Sequence, residues 1–363
     1  MPFAPQYQIS GHTAKALMAI EGTRTALEGT IAATPRLISA LRESARLTST
    51  HFSTQIEGNR LTQQQVEEVI LGKKGFPGRE RDEAEVLNHY CATEYMETLV
   101  SATTPITEEE VQKLHGLVMD GSDKASPYRS GQNVIRDGHT SGIVYLPPEA
   151  PDVPVLMAEL LEWVNTQIEE AAIPVPVIAG LAHYQFATIH PYYDGNGRTA
   201  RLLTNLILHR CDYGLNGIYS LEEYYAQNLG GYYEALTVGD SHNYYMGRAE
   251  CDVSRFVEYF CVGMAESFEK IAANRNRLAP SESDASNKAL LRELSTLQRQ
   301  ALGLFHESRV ITSRQLADYL SIDTRKARGL CAQWEQEEFL MIENPSKKAR
   351  SYRLAEEYES SLM

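Results

Sequence analysis

Residues 190–201, HPYYDGNGRTAR, combine side chains and backbone features that could bind the phosphates of a nucleotide. The Gly-Asn-Gly turn at 195–197 directly precedes a predicted helix, and successive N–H groups in such a turn form a concavity that binds anions. The positive end of the helix dipole adds to this attraction. Arg198 and Arg201 lie three residues apart. They therefore share a helix face, from which two guanidinium groups can contact phosphate oxygens.

Two further residues of this segment could take part in chemistry. Histidine titrates near neutrality, so His190 could take a proton from an attacking hydroxyl. Asp194 offers a hard oxygen, the kind of ligand that Mg²⁺ takes together with phosphates and water. A Gly-Asn-Gly turn alone would be typical of a plain connection between two helices. A base, a metal ligand, an anion cradle and two arginines together predict phosphoryl or nucleotidyl transfer.

The segment resembles the signature of the Fic-domain family, in which an HPF-type start is followed by an acidic residue, GNGR and a second arginine. It departs at Tyr192, where the family usually has phenylalanine; we expect this ring to anchor the loop in the core and its hydroxyl to need a polar partner. The resemblance extends over residues 50–265. It implies a protein adenylyltransferase, in which His190 deprotonates a Tyr, Thr or Ser hydroxyl of a target protein. That hydroxyl attacks the α-phosphate of ATP, and pyrophosphate leaves.

The resemblance also implies the contacts to ATP. Asp194 would hold Mg²⁺, Arg198 would contact the β-phosphate and Arg201 the γ-phosphate. The residues that would cradle the α-phosphate oxygens are Gly195, Asn196 and Gly197. Glycine at the last of these positions is typical of AMP transferases, whereas kinase-like relatives carry lysine there.

Two other segments resemble parts of the family's binding surface. Residues 134–146 resemble a hairpin called the flap, which is expected to pair with the target segment as an added strand, with Ile143 pinning the target side chain. A hairpin that only faces solvent is the alternative. QNLGGYYEAL resembles the nucleoside side of the pocket, where Asn228 and Tyr232 match best and Leu229 replaces a frequent arginine. Core tyrosines at helical spacing are the alternative here.

A second motif lies upstream, where residues 53–58, STQIEG, match the family's inhibitory pattern Ser/Thr-x-x-x-Glu-Gly/Asn. Ser53 and Glu57 lie one helical turn apart, and Gly58 can end the helix. A glutamate near a helix C-terminus is at the unfavourable end of the dipole. The resemblance implies that Glu57 forms a salt bridge with Arg201. That bridge would occupy the γ-phosphate contact and turn the α-phosphate of ATP away from in-line attack.

The elements that must position these residues are predicted to be mainly α-helical. Apolar residues at helical spacing run through residues 13–103, where Thr62 and Gln65 form a capping-box pattern, and a helical pattern continues over 220–273. Residues 126–148 instead alternate apolar and polar side chains around an Asp-Gly turn, which predicts a hairpin. The expected fold is a Fic helical core with a small β-hairpin flap, followed by a winged helix-turn-helix.

This organisation predicts four parts. An N-terminal helical segment with the inhibitory motif covers residues 1–103, and the Fic core covers 104–275. A linker follows at 276–290, and a separate module fills 291–363. In that module, Thr312 and Asp323 can each cap a helix, and FLMIENPSKKARSYRL resembles two short strands joined by a basic turn.

The C-terminal module carries cations that could contact DNA phosphates. Those of the predicted recognition helix are Arg325, Lys326 and Arg328, and those of the turn are Lys347, Lys348 and Arg350. A protein-interaction or dimerisation module with solvated basic residues is the alternative, since Glu335 and its acidic neighbours lie close by.

Composition limits the other possibilities. The chain has 363 residues and a formal net charge of −14, which argues against a surface that binds nucleic acid throughout. Its five cysteines form no CxxC pair, so we expect a reduced, cytoplasmic protein. We expect no signal peptide, and no apolar run long enough to span a membrane. The family resemblance also suggests a homodimer.

Three other functions stay open at this point. One is a Fic enzyme that uses another nucleotide or phosphoryl donor, and a second is removal of AMP with the help of Glu57. The third is a winged-helix DNA-binding regulator whose Fic part only senses nucleotide. Intact His190 counts against the third, because a sensor does not need the base.

Overall fold

The structure is a computed structural model, and it describes residues 3–33, 35–73, 75–102, 104–136, 142–239, 241–273, 295–320, 322–344, 346, 350–355 and 358. The chain divides into two compact units, residues 1–278 and residues 279–363, which are described separately. The predicted linker, residues 276–290, lies outside the described residues.

The first unit is helical, as predicted. Its α-helices are α1 (Gly11–Ala33), α2 (Pro35–Ile56), α3 (Gln63–Ile70), α4 (Glu80–Leu99), α5 (Glu108–Asp120), α6 (Val153–Glu170), α7 (Val175–Ile189), α8 (Asn196–Arg210), α9 (Leu221–Gln227), α10 (Leu229–Leu236) and α11 (Ser254–Ala273). Single 3₁₀ turns lie at Ala150–Asp152, Leu215–Gly217 and Tyr244–Met246. Among the described residues, no helix combines the length and apolar character needed to cross a membrane.

Helix α7 lies at the centre of this unit. Its sequence, VPVIAGLAHYQFATI, is apolar on nearly all sides, so α6, α8 and α11 pack around it. Helix α1 packs against α11, and α2 packs against α4 and α9 and reaches α8. The loop between α7 and α8 carries residues 190–195. The signature segment is therefore held between two buried helices.

One predicted feature of the helices is confirmed, and another is wrong. The capping box of Thr62 and Gln65 is confirmed, with each side chain bonded to the other residue's N–H. The prediction that residues 220–273 continue helical is wrong for 237–253, whose described residues form no helix apart from the 3₁₀ turn. Gly239 and Gly247 take positive φ values of 72° and 105° there, a conformation that interrupts a helix.

The flap consists of β1 (Ile135–Arg136) and β2 (Ile143–Tyr145), which pair antiparallel. The hairpin predicted within residues 126–148 is therefore confirmed, but its strands are shorter than that range implied. Residues 126–134 form no strand; the Arg129 N–H donates to the Pro191 carbonyl, so this stretch follows the signature loop instead of pairing with β2. The predicted Asp-Gly turn lies outside the described residues.

The second unit contains α12 (Thr296–Glu307), β3 (Ile311–Thr312), α13 (Ser313–Leu320), α14 (Thr324–Gln336), β4 (Leu340–Asn344) and β5 (Ser351–Leu354). The strands form an antiparallel sheet in the order β3-β5-β4. The Thr312 and Asp323 side chains accept hydrogen bonds from the N–H groups of Gln315 and Lys326, so both predicted caps are present.

A compact core holds the second unit together. Trp334 from α14 packs edge-on against Phe339, and Tyr352 of β5 is buried in the same cluster. The two strands predicted for the wing are β4 and β5. Lys347 and Lys348, which were predicted for the turn between them, lie outside the described residues.

Candidate active site

The signature loop begins with a change in backbone direction at His190. Helix α7 ends at Ile189, and His190 takes a left-handed conformation with φ 51° and ψ 60°. The chain turns again at Gly195, where φ is 75°, and α8 starts at Asn196. A Cβ on Gly195 would lie 2.6 Å from Met119 Sδ, so both the space and the φ angle require glycine at this position.

The Asn196 side chain holds the loop closed. Its amide oxygen accepts the Tyr192 N–H at 2.9 Å, and its amide nitrogen donates to the Tyr192 carbonyl at 2.8 Å. The side chain is buried and uses both ends for these bonds. A contribution of Asn196 to an anion cradle would therefore come from its backbone N–H.

Tyr192 anchors the loop as expected, but its hydroxyl differs from the expectation. The ring is buried and stacks on His115, with centroids 3.5 Å apart and planes 9° apart. His115 Nε2 also lies 2.9 Å from the Asp194 carbonyl oxygen. The predicted polar partner of the phenol is not found among the described residues.

The position and the protonation state of His190 fit the role of a general base. Burial lowers the pKa of His190 to about 4, and the positive charge of Arg129 acts in the same direction. The imidazole is therefore neutral near pH 7. Its Nδ1 lies 3.3 Å from the Ala187 carbonyl, which can only accept a hydrogen bond. The proton of the neutral ring is therefore on Nδ1, and Nε2 keeps a lone pair that can accept a proton.

Asp194 stands at the edge of the turn with 57% of its side chain exposed. One carboxylate oxygen accepts the Gly195 N–H at 2.6 Å, and the same oxygen lies 3.5 Å from Arg198 Nη2. The described residues contain no group of three or more His, Cys, Asp or Glu side chains that could enclose a metal. A single exposed carboxylate beside an anion cradle still fits Mg²⁺, which is usually held by one or two carboxylates together with phosphates and water.

The two arginines of the signature are both buried on α8. Arg198 lies near Met119 and Asp194, and its Nε has no hydrogen-bond partner among the described residues. Arg201 is closely paired. Its Nη2 donates to Glu57 Oε1 at 2.9 Å and to the Ser53 carbonyl at 2.9 Å, while its Nε donates to Ser53 Oγ at 2.9 Å.

The end of α2 is shaped to receive Arg201. The Glu57 N–H bonds the Thr54 carbonyl rather than that of Ser53, which leaves the Ser53 carbonyl free to accept from the guanidinium. Gly58 then turns the chain with φ 94°. Ser53, Glu57 and Gly58 therefore lie as the inhibitory pattern predicted, and the salt bridge between Glu57 and Arg201 is present.

The Glu57 carboxylate also lies against the Gly-Asn-Gly turn. A Cβ on Gly197 would come within 2.3 Å of Glu57 Oε1. Only glycine at position 197 leaves room for the carboxylate at that point. A negatively charged group of the chain itself thus rests at the start of α8, where the turn and the helix dipole favour an anion.

The nucleoside segment differs from the expectation at Tyr232. This residue is 3% exposed, its ring stacks on Tyr225, and its hydroxyl lies 2.8 Å from His183 Nε2. The alternative of a core tyrosine describes it, because no face of the ring is open for adenine. The neighbouring Tyr233 is 48% exposed and its hydroxyl lies 3.5 Å from the Ile56 carbonyl. Asn228 is exposed at the junction of α9 and α10.

The flap residue Ile143 is exposed at the start of β2, in agreement with a contact to another molecule. The opposite end of the strand is tied to the rest of the unit. Leu146 exchanges backbone hydrogen bonds with His242 and Tyr244, and His242 Nδ1 lies 2.8 Å from the Val144 carbonyl. The flap is thus fixed at its base and open near Ile143.

Several residues of the site carried no signal in the sequence. His89 of α4 is buried, and neither ring nitrogen has a partner among the described residues; burial and the charges of Arg201 and Arg198 lower the pKa of His89 to about 3. His115 and Arg129 contact the signature loop from outside it. All three are far from residues 190–201 in sequence, so only the fold brings them there.

Comparison with known proteins agrees with this geometry. Residues 105–208 match the Fic/DOC family. Protein adenylyltransferase Fic of Drosophila willistoni is 32% identical over 198 residues, which cover 54% of this chain and 38% of that protein. The protein of the same name from Drosophila virilis is also 32% identical over 198 residues and is covered to 39%. The chain thus spans less than half the length of these curated relatives.

Solved structures show the same fold. A Fic family protein from Desulfovibrio desulfuricans G20 is 25% identical with a TM-score of 0.66, covering 98% of this chain and 99% of that one. A Fic domain containing signaling protein from Bacteroides thetaiotaomicron VPI-5482 is 22% identical with a TM-score of 0.61, covering 73% and 97%. The chain carries a Fic domain and has the helical fold of Fic-family proteins.

Proposed function

We propose that this protein is a protein adenylyltransferase that transfers AMP from ATP to a Tyr, Thr or Ser hydroxyl of target proteins and of itself. The observation that carries the proposal is the position of the Glu57 carboxylate, which bonds Arg201 and lies against Gly197. A carboxylate of the chain thus occupies part of an anion site whose other arginine, Arg198, has a donor without a partner among the described residues. The curated relatives named protein adenylyltransferase support the choice of reaction.

The geometry supports a simple sequence of events. The hydroxyl of a target docked at the flap near Ile143 gives its proton to His190 Nε2 while its oxygen attacks the α-phosphate of ATP. The bond between the α-phosphorus and the bridging oxygen breaks, and pyrophosphate leaves. The backbone of Gly195, Asn196 and Gly197 receives the α-phosphate oxygens, and Arg198 and Arg201 contact the β- and γ-phosphates. Asp194 would hold Mg²⁺, which neutralises phosphate charge when it is bound.

We further propose that Glu57 restrains this activity. With Arg201 bonded to Glu57 and Ser53, the γ-phosphate has no guanidinium to bind. ATP can still reach Arg198, but its α-phosphate is not aligned with the attacking hydroxyl. Replacing Glu57 by glycine removes the carboxylate and frees Arg201.

Labelled nucleotides test both proposals together. The full-length Glu57→Gly variant is incubated with ATP labelled at the α- or at the γ-phosphate, alone and with a cell lysate, and protein labelling is compared with the wild type. We expect labelling from α-labelled ATP only, at least about tenfold above the wild type. The double variant Glu57→Gly/His190→Ala should lose it. Labelling from γ-labelled ATP would indicate phosphoryl transfer instead, and a panel of other labelled nucleotides tests the donor.

Removal of AMP is a related activity of the same site. If Glu57 orients a water, wild-type protein should release AMP from a target that the Glu57→Gly variant has modified, and the variant itself should not. Absence of release would end this alternative. A nucleotide sensor would show no AMP transfer even with His190 in place. Comparing the Glu57→Gly variant with Glu57→Gly/His190→Ala therefore tests this alternative.

A second candidate function belongs to the second unit. Arg325, Lys326 and Arg328 are exposed on α14 and form no ion pair with any described residue, which favours binding to DNA phosphates. Arg350, by contrast, lies 3.7 Å from Glu335. Binding of the full chain to duplex DNA should weaken steeply with salt and should weaken further in an Arg325→Ala/Arg328→Ala variant. No retention at low salt would exclude it. Light scattering tests the homodimer that we also propose.

A further inference from the structure

Arg129 lies in the segment between α5 and β1 and is 3% exposed. Its Nε donates to the His190 carbonyl at 2.9 Å, and its Nη1 donates to the Gly131 carbonyl at 3.0 Å. Its Nη2 donates to the Pro148 carbonyl and lies 3.5 Å from the Ile189 carbonyl. Every acceptor belongs to the backbone, and within the described part of the chain no carboxylate pairs with this guanidinium.

The contacts with residues 189 and 190 explain how the base keeps its conformation. A histidine with positive φ lies in a sparsely populated region of backbone conformation and keeps it only where surrounding bonds fix it. Arg129 supplies those bonds, because its guanidinium binds the last carbonyls of α7 and its own N–H donates to the Pro191 carbonyl at 2.9 Å. A cation is also favourable at the negative end of α7.

The contact with Pro148 connects the same guanidinium to the flap. Pro148 follows β2, and the neighbouring Gln132 side chain donates to the Pro147 carbonyl at 2.9 Å. Asn133 donates to the Tyr192 carbonyl at 3.2 Å, which adds a link between this segment and the signature loop. One buried side chain therefore bonds both the backbone of the base and the end of the strand that would carry the target.

We propose that Arg129 is a positioning residue that fixes the backbone of His190 and sets its distance from the flap, so that the base meets the hydroxyl of a docked target. This proposal rests on the proposed transfer of AMP for its catalytic consequence. Its structural part, the control of His190 by Arg129, stands on the contacts alone.

A matched set of variants tests it in the full chain. Arg129→Met removes the donors and the charge, and Arg129→Lys keeps the charge but can satisfy fewer carbonyls. Arg248→Met is the control, because Arg248 is another buried arginine that donates to backbone carbonyls, those of Leu236 and Val238. Its guanidinium lies over the rings of Tyr145 and Tyr184, so this variant disturbs the base of the flap without removing a hydrogen bond to residues 189 and 190. Each change is made with and without Glu57→Gly.

The first measurements do not depend on activity. NMR titration should show that Arg129→Met raises the pKa of His190, because a nearby positive charge has been removed, and that Arg248→Met leaves it unchanged. Amide hydrogen exchange at His190, whose N–H bonds the Phe186 carbonyl at 3.0 Å, should become at least about tenfold faster only in the Arg129 variants. An unchanged titration and unchanged exchange in Arg129→Met would overturn the proposal.

The kinetic measurements separate positioning from binding. In the Glu57→Gly background, Arg129→Met should lower kcat for AMP transfer by about 100-fold, a loss typical of a displaced reacting group, with the ATP dissociation constant changed by less than about threefold. Arg129→Lys should recover part of kcat, and Arg248→Met should keep it. Equal losses in the Arg129→Met and Arg248→Met variants would also overturn the proposal.

The outcomes distinguish this proposal from the proposed function. If Glu57→Gly itself transfers no AMP, the proposed function fails, and the titration and exchange data still decide whether Arg129 controls His190. If Arg129→Met does not fold, the same two measurements on Arg129→Lys decide it, with faster exchange at His190 expected.

Discussion

Arg198 and Arg201 are both buried on the same face of α8, yet their surroundings differ. Arg201 bonds the Glu57 carboxylate and two oxygens of Ser53. Arg198 contacts the exposed carboxylate of Asp194 at 3.5 Å and the Met119 sulfur at 3.7 Å, and its Nε is unpartnered within the described residues, as is Nη1 of Arg201. Burial of a guanidinium without a close anion is costly. The difference indicates that Arg198 is completed by a ligand, whereas Arg201 is completed either by a ligand or by α2.

The comparison gives the proposed restraint a specific location. Under the proposed function, Glu57 would compete for one of two phosphate contacts and leave the other open. While Glu57 holds Arg201, ATP binding should therefore depend on Arg198, and Arg201 should contribute to affinity and alignment only after its release from Glu57.

The largest expected effect is that Glu57 determines how strongly the affinity for ATP depends on Arg201. Arg201→Ala should hardly change ATP affinity while Glu57 is present, because the guanidinium is already occupied. In a Glu57→Gln background the same change should cost about 2–3 kcal/mol, or about 30- to 150-fold. Arg198→Ala should cost the same in both backgrounds to within about 0.5 kcal/mol. Calorimetric titration with ATP measures each affinity, and circular dichroism confirms folding. An Arg201→Ala loss of equal size in both backgrounds would remove the distinction.

The second prediction concerns stability. Glu57→Gln removes the carboxylate that compensates a buried guanidinium, and we expect the free energy of unfolding to fall by about 1–3 kcal/mol, below the cost for a fully buried pair because 31% of the Glu57 side chain is exposed. Asp194→Asn is the matched control for Arg198 and should change stability by less than about 0.5 kcal/mol. Differential scanning calorimetry compares them. Added triphosphate should restore the stability of the Glu57→Gln variant by binding Arg201. Similar losses of stability in Glu57→Gln and Asp194→Asn would contradict the prediction.

The features of this comparison that the sequence predicted are local in the chain or carried by a motif. The spacing of Arg198 and Arg201 places them on one helix face, and the inhibitory pattern places Ser53 and Glu57 on another. Their pairing across 144 residues followed from the family resemblance, since spacing alone cannot bring two distant helices together.

The remaining features depend on packing that the sequence does not display. Helical spacing could not decide whether Tyr232 or Tyr233 faces the core, and the structure buries the first. Alternation predicted a long hairpin, but the backbone N–H of Arg129 bonds the Pro191 carbonyl of the signature loop instead of extending β1. An isolated arginine in a loop has no pattern that would distinguish it from a solvated one.

A smaller effect is expected from the second residue that holds Arg201. Ser53→Ala removes the Oγ that accepts from Arg201 Nε but leaves the Ser53 carbonyl and Glu57 in place. Loss of one such bond is worth about 1 kcal/mol, so AMP transfer should rise by about fivefold. Thr54→Val is the control, because the Thr54 hydroxyl donates to carbonyls of its own helix. An increase in the control as large as that in Ser53→Ala would assign the effect to α2 as a whole.

The smallest expected effect is on the pH dependence of AMP transfer, because the rate should hardly change with pH near neutrality. Transfer needs the neutral imidazole, so the rate should rise with pH through the pKa of His190, which burial lowers to about 4, and should be level above it. Between pH 8 and pH 6 this group should change the rate by less than about 5%, whereas an ordinary histidine would be about three-quarters protonated at pH 6. Glu57 acts to raise this pKa, so Glu57→Gly should not move the acid limb upward. Rates are measured from pH 5 to pH 8 in the Glu57→Gly and Ser53→Ala variants. The two profiles should therefore differ in the rate on the plateau and not in the pH at which the rate falls. A limb near pH 6.5 that appears in one variant alone would show that α2 acts on the base as well as on Arg201.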